Sequence, residues 1–227
     1  MTSAIPTEFK PAFFEIMPPS QPLRSPAPLI VFGAGGHGRV VAEAAMLTNR
    51  WDSIHASDRM PSAQSELLPG IHLLDADTAM ALDPEIHIAI GDNQAREKEA
   101  SAWGHERLVS VIHPVASVSQ FSSIAAGCFV AASAVVGPMA VVGMGVIVNH
   151  GAVVDHDVEV GAFSHIAPNT SLGGYAKIGQ RVLIGSGAVV LPYIVIGDDV
   201  TVGAGAVVNT HLLESGTYAG VPARKIL

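Results

Sequence analysis

From Ile112 onward, stepping by six lands on Ile112, Val118, Ile124, Val130, Val136, Val142, Val148, Val154, Val160, Ile166, Leu172, Ile178, Ile184, Val190, Ile196, Val202 and Val208, seventeen aliphatic residues in succession. Even with one residue in three aliphatic, such a run arises by chance about once in 10⁸ sequences, so the repeat is structural. A period of six fits neither a helix nor simple alternation. It fits one short strand plus one turn, with one aliphatic side chain pointing inward per side. Three sides close a triangular coil of 18 residues, and the uninterrupted register from 112 to 208 means that residues 18 apart stack. About five coils at the roughly 4.8 Å spacing of hydrogen-bonded strands give a prism about 25 Å long.

Composition agrees with a β-rich repeat. Hydrophobic residues make up 49% of the 227 and aromatic residues only 5%, so the core is built from Val, Ile and Ala. The formal charge of -8 leaves no basic footprint for phosphates, and no nucleic-acid partner is expected. Residues 124–148 run 25 positions without a charge, long enough by count for a membrane span. Gly and Pro interrupt the run, and its period continues into charged sequence, so no membrane partner is expected. The single cysteine, Cys128, forms no internal disulfide, and a cytoplasmic location is expected.

Ahead of the repeat, residues 1–28 hold seven of the 15 prolines and carry Glu8 and Glu15 where a secretory signal would be basic and apolar. They are expected to form a flexible Pro-rich leader, with Met1 and Met17 both open as the translation start. Residues 29–107 then read as an α/β unit with a parallel sheet, Rossmann-like in its opening strand, glycine loop and helix. Strands are expected near 29–32, 53–57 and 87–92, a brief helix near 78–82 and a polar helix over 93–107. The coil domain is placed at 108–213 and a closing segment at 214–227, the repeat ending at Glu214, where an aliphatic residue was due.

The loop GAGGHGR sets Gly33, Gly35 and Gly38 at G-x-G-x-x-G spacing between a strand and a helix, where backbone N–H groups and the helix dipole favour phosphate. Asp58 lies 20 residues beyond Gly38, where a ribose-binding carboxylate would fall, which brings a nicotinamide-dependent oxidoreductase into view. About 80 residues of α/β make only one mononucleotide half, and a mononucleotide or nucleotide sugar fits better. A tight turn without a ligand is the plain alternative.

In VVDHDVEV, His156 lies between Asp155 and Asp157, a natural general base with a neighbouring carboxylate to hold its tautomer. Eighteen residues on, Gly174 stacks over His156, where a backbone N–H with no side chain in the way can face an oxyanion. Base and oxyanion donor on adjacent coils suit acyl transfer, whereas a polar turn needs neither. His150 and His165 complete a group that raises zinc, but neither stands 18 residues from the other or from His156, and no metal is expected within one chain.

The motifs GAGGHGR (33–39), AIGDNQAR (89–96), NHGAVVDHDVEVGAFSHIAPN (149–169) and YAGVPARKI (218–226), with the repeat, resemble the hexapeptide-repeat nucleotide-sugar and sialic acid acetyltransferases. The closest likeness is to enzymes that N-acetylate a nucleotide-linked 4-amino-4,6-dideoxy sugar, of the perosamine and bacillosamine-pathway type. The resemblance implies a left-handed parallel β-helix after an α/β nucleotide-sugar-binding domain, and a homotrimer with acetyl-CoA between adjacent subunits. It implies Gly35, His37, Asp58, Gly91 and Arg96 as nucleotide-sugar contacts and Asn149 as a residue lining the sugar site. It matches His156 to the base and Asp157 to its acidic neighbour. His165 and the Gly174 amide fall on the acetyl-CoA side, and Gly220, Pro222 and Ala223 near the adenine end. Two positions depart from the pattern. His150 stands where a small hydroxyl residue is common, and Val221 replaces the Asn of the closing G-N-P-A. The expected reaction is N-acetylation of a GDP-linked sugar, a UDP-linked one coming next. A sialic acid-type O-acetyltransferase and a non-catalytic nucleotide-sugar sensor are the rivals.

Overall fold

The structure is a computed structural model that describes residues 27–60 and 65–226. Apart from residues 27 and 28, the Pro-rich leader lies outside them. The α/β domain runs β1 (Leu29–Phe32), α1 (Gly36–Thr48), β2 (Ile54–Ser57), β3 (Glu66–Leu68), β4 (Ile71–Leu74), α2 (Ala76–Ala81), β5 (Glu85–Ile88) and α3 (Asn93–Trp103), with strand order β3-β4-β2-β1-β5. The four residues of β1, between β2 and β5, are all buried, as a parallel strand covered on both faces requires. The chain leaves β1 to one side through α1 and returns on the other side as β5, which opens a crevice at the carboxyl ends of β1 and β5.

Three expectations shift. The sheet is not wholly parallel, because β3 pairs antiparallel with β4 around Gly70, whose φ of 83° a glycine adopts without strain. The third expected strand is displaced: β5 covers 85–88, since β1 ends at Phe32 opposite Ile88 and residues beyond have no strand to pair with. The last helix stops at Trp103, followed by Gly104 at φ 91° and a separate 3-10 turn at His105–Arg107.

From Val111 the chain winds into a left-handed parallel β-helix of three sheets. Pairing joins residues 18 apart, as in Val136↔Val154 and Val154↔Leu172. The hexad positions from Val130 to Val208 are buried in one continuous core. The uncharged run 124–148 is folded into these coils, and among the described residues no helix is long and apolar enough to cross a membrane. Register changes once, near the end. Leu212, not Glu214, bridges to Ile196, and Tyr218 lies opposite Val202, so two residues are dropped and an apolar side chain keeps the interior place. Gly216–Ala219 and the antiparallel Arg224–Lys225 then close the last coil.

The three sides of the prism differ. One carries Val111, Phe129 and Ile147 outward, and these are buried beneath the α/β domain. A second carries Ser117, Val135, Val153, Ser171, Val189 and Val207, an uncharged row with Val135 and Val189 each 36% exposed. The third carries Glu159 and Lys177, joined at 2.8 Å.

Candidate active site

Two groups of residues stand at opposite ends of the valine-lined side. At the corner after Val153–Val154, His156 is half exposed and its Nδ1 lies 2.9 Å from Oδ2 of Asp157. Its backbone N–H donates to Oδ1 of Asp155 at 2.7 Å. The carboxylate fixes Nδ1 as the protonated nitrogen and leaves Nε2 with a free lone pair toward solvent. Asp157 takes the left-handed turn position at φ 57°, which Asp tolerates better than most residues. The imidazole lies against Gly174 so closely that a Cβ there would come within 2.6 Å of Nε2. The Gly174 N–H makes no hydrogen bond among the described residues, while its carbonyl accepts from Tyr193. Tyr175 packs edge-on to His156 with centroids 5.3 Å apart and stacks on Tyr193 at 5.0 Å.

At the other corner, Oδ1 of Asn149 accepts the backbone N–H of His150 at 2.9 Å, which turns its amide nitrogen toward Nε2 of His165 at 3.0 Å. That nitrogen of His165 is therefore an acceptor, and its proton sits on Nδ1. The His37 ring lies 6.5 Å from the His165 ring and edge-on to Phe129, with Nε2 buried and unpartnered among the described residues. His87, absent from the residues picked out by sequence, is buried below and bonds the Val109 carbonyl at 2.9 Å.

Burial pushes His37 down to about 3, and His87 and His165 down to about 4, with the Arg96 charge adding to each. Folded pKa values below the unfolded 6.5 mean that the unfolded chain takes up protons first on acidification, so stability is full above pH 6.5 and is lost as pH falls toward 4. The fully buried His87 alone accounts for about 2 kcal/mol by pH 5. Thermal unfolding followed from pH 8 to 4.5 is expected to show a level Tm down to about 6.5 and a steep fall below it. A Tm unchanged to pH 5 would contradict the neutral, buried state of these rings.

The glycine loop behaves as a ligand-facing helix start. Gly35 caps α1 with no side-chain hydrogen bond, whereas Asp75 and Asp92 cap α2 and α3 with their carboxylates. The first-turn N–H groups of α1 are thus left open to an anion. Added Cβ atoms at Gly35, Gly36 and Gly91 would meet nothing within 4 Å, in keeping with a surface that another molecule approaches. Asp58 braces this loop: Oδ2 accepts from the Ala34 N–H at 2.7 Å and Oδ1 from the Met60 N–H at 2.9 Å.

Arg96 is placed differently from the expectation of a ligand contact. It is 1% exposed, and its guanidinium donates to the carbonyls of Gly145, Ile90, Gly91 and Phe163 and to Oδ1 of Asn93. All five N–H groups are used, so none is left for a substrate. At the C-terminal end Gly220 and Pro222 are exposed, but the Ala223 methyl is packed into the core and its N–H is bonded to Val207, so it offers a ligand no side-chain contact. Among the described residues no three His, Cys, Asp or Glu side chains are arranged to hold a metal. Glu99, turned inward on α3 beside Arg96 and Ala100, escaped the sequence reading. Its signal was its place three residues after Arg96, on the same face of a packed helix as Ala100.

A triangular parallel coil with a histidine–carboxylate pair at a corner, set against a glycine-loop α/β unit, defines a hexapeptide-repeat acyltransferase. Residues 28–102 match the PglD N-terminal domain, and residues 175–210 match the bacterial transferase hexapeptide of six repeats. The acetyltransferase domain of PglB from Neisseria gonorrhoeae FA1090, in complex with acetyl coenzyme A, is 35% identical, covers 88% of this chain and 100% of its own, and superposes with a TM-score of 0.82. A mutant perosamine N-acetyltransferase from Caulobacter crescentus, in complex with CoA and GDP-perosamine, is 32% identical over 89% of this chain and 98% of its own, with a TM-score of 0.81. WeeI from Acinetobacter baumannii AYE, at 20% identity, covering 87% of this chain and 99% of its own, with a TM-score of 0.58, shares the fold. No curated protein matches the sequence. The chain belongs to the hexapeptide-repeat sugar N-acetyltransferases, the family of the PglB acetyltransferase domain and perosamine N-acetyltransferase.

Proposed function

We propose that this protein transfers the acetyl group of acetyl-CoA to the 4-amino group of a nucleotide-linked 4-amino-4,6-dideoxy sugar. The observation that carries this reading is His156, oriented by Asp157 with Nε2 free over Gly174. The amine attacks the thioester carbonyl, Nε2 of His156 takes the proton released from nitrogen, and the Gly174 N–H binds the tetrahedral oxyanion. Collapse of the intermediate breaks the C–S bond, and the imidazolium returns its proton to the departing CoA thiolate. The open N-terminus of α1, with Gly35, His37, Asp58 and Gly91 around it, holds the diphosphate and sugar. Asn149 and His165 line the way to the reacting amine, and Gly220 and Pro222 lie toward the adenine end of acetyl-CoA.

The site is completed in a homotrimer. The valine row is the one uncharged side of the prism left open, and turning it toward a threefold axis covers it. That symmetry brings the His156 corner of one copy against the Asn149 and His165 corner of the next, joining the base to the nucleotide-binding domain. Both substrates belong to the cytoplasm, and the enzyme is assigned there with them.

The test is thiol release from acetyl-CoA with GDP-perosamine, a UDP-linked 4-amino-4,6-dideoxy sugar, and free and CMP-linked sialic acid. Release with an amino sugar is expected. Release with sialic acid alone would replace N- by O-acetylation. Release with none, in folded protein that also fails to bind acetyl-CoA, would leave a nucleotide-sugar sensor.

A further inference from the structure

We propose that a cleft beside the glycine loop reads the base of the bound nucleotide and that Glu99 selects guanine. The inference rests on the nucleotide-sugar reading above and names its base. The cleft measures about 280 Å³ and is walled by Phe32, Met80, Glu99, Trp103 and Arg59. Phe32 immediately precedes Gly33 of the loop, and Arg59 immediately follows Asp58, whose carboxylate holds the Ala34 N–H. A nucleotide with its diphosphate at the start of α1 therefore has its base within reach of this cleft.

The walls suit a flat ring. Trp103 meets Phe32 edge-on at 5.1 Å, and the partly exposed Met80 supplies a polarisable face. The polar group that singles out one base is Glu99. It is 6% exposed, Oε1 is held by Nε of Arg59 at 2.8 Å, and Oε2 is buried with no hydrogen-bond partner among the described residues. A carboxylate oxygen shut away from water without a donor is costly unless a ligand supplies one.

Two acceptor oxygens side by side ask for two donors side by side. Guanine presents N1–H and the N2 amino group adjacent on its Watson–Crick edge. Uracil presents a single N3–H between two carbonyl oxygens, which a carboxylate repels. Adenine presents one amino group beside a bare ring nitrogen. Arg59, on the cleft rim with a side chain 58% exposed, steadies the carboxylate from outside.

Calorimetric titration of the full-length protein with GDP, IDP, UDP and ADP reads this directly, because IDP differs from GDP only by the missing N2 amino group. GDP is expected to bind about 10-fold more tightly than IDP and about 10²-fold more tightly than UDP, the discrimination typical of a bidentate base contact. In Glu99→Gln the GDP affinity should fall about 10-fold and the gap between GDP and IDP should close to about twofold, since one acceptor becomes a donor. Equal binding of GDP and IDP by the unaltered protein, or a GDP preference unchanged in Glu99→Gln, overturns the assignment. Turnover of a UDP-linked amino sugar with UDP bound as tightly as GDP overturns the guanine inference and leaves the acetyltransferase reading standing. Failure of every nucleoside diphosphate to bind, with no thiol release from any nucleotide-linked sugar, overturns both.

Discussion

Replacing His156 by Asn is expected to lower kcat for acetyl transfer by about 10²-fold or more while acetyl-CoA binding stays intact. Asn fills a similar volume and can still hydrogen-bond Asp157, but it has no basic nitrogen where Nε2 stands. The amine proton would then be lost only to water. Because the ring is half exposed at a turn and packs into no core, folding should be unaffected, and a loss of rate cannot be mistaken for loss of structure. Gly174→Ala gives an independent view of the same geometry. Its Cβ would sit 2.6 Å from Nε2, so the ring has to swing away from the amide that binds the oxyanion, and kcat should fall although the base itself is intact. Steady-state rates with a nucleotide-linked amino sugar, beside acetyl-CoA titrations of each variant, check both. A kcat unchanged in His156→Asn would remove His156 as the base.

The stacking of Gly174 over His156 was legible in the sequence because a repeat of constant length turns spacing into geometry. Once residues 18 apart share a column, Val154↔Leu172 fixes the neighbouring turn residues as well. The tail was less legible, since dropping two residues between Val208 and Leu212 is settled by which side chain fills the last coil, and Glu214 loses to Leu212 there. In the α/β domain the glycine loop, β1 and the start of α3 were readable from local pattern, while β5 and α2 each begin two residues before the expected start; the hairpin at Pro69 and Gly70 carried a turn signal beside two short apolar runs. The direction taken by a long side chain was not readable. Asp58 and Arg96 both sit beside the glycine crevice in sequence terms, but one braces the loop and the other turns inward. Only the packing of α3 against two coils decides that, and no local pattern encodes it.

Arg96→Met is therefore expected to cost about 3–5 kcal/mol of stability. The guanidinium ties the loop after β5, through the carbonyls of Ile90 and Gly91, to the turns of two successive coils at Gly145 and Phe163. Burial pushes its pKa down to about 10, so the group remains a cation at neutral pH although no carboxylate among the described residues hydrogen-bonds it. Main-chain carbonyls and the Asn93 side chain meet its charge instead, and a methionine of similar length would leave those carbonyls buried without donors. Arg96→Lys should recover only part of the loss, because three donors on one nitrogen cannot reach five acceptors spread around a plane. Denaturant unfolding of both variants measures the cost, and separate far-ultraviolet transitions for the two domains would show that the pin couples them. A contact to the ligand predicts the opposite pattern, with nucleotide affinity collapsing and stability unchanged to within about 1 kcal/mol. That outcome would return Arg96 to the binding site and would require the loop at Gly91 to open when substrate enters.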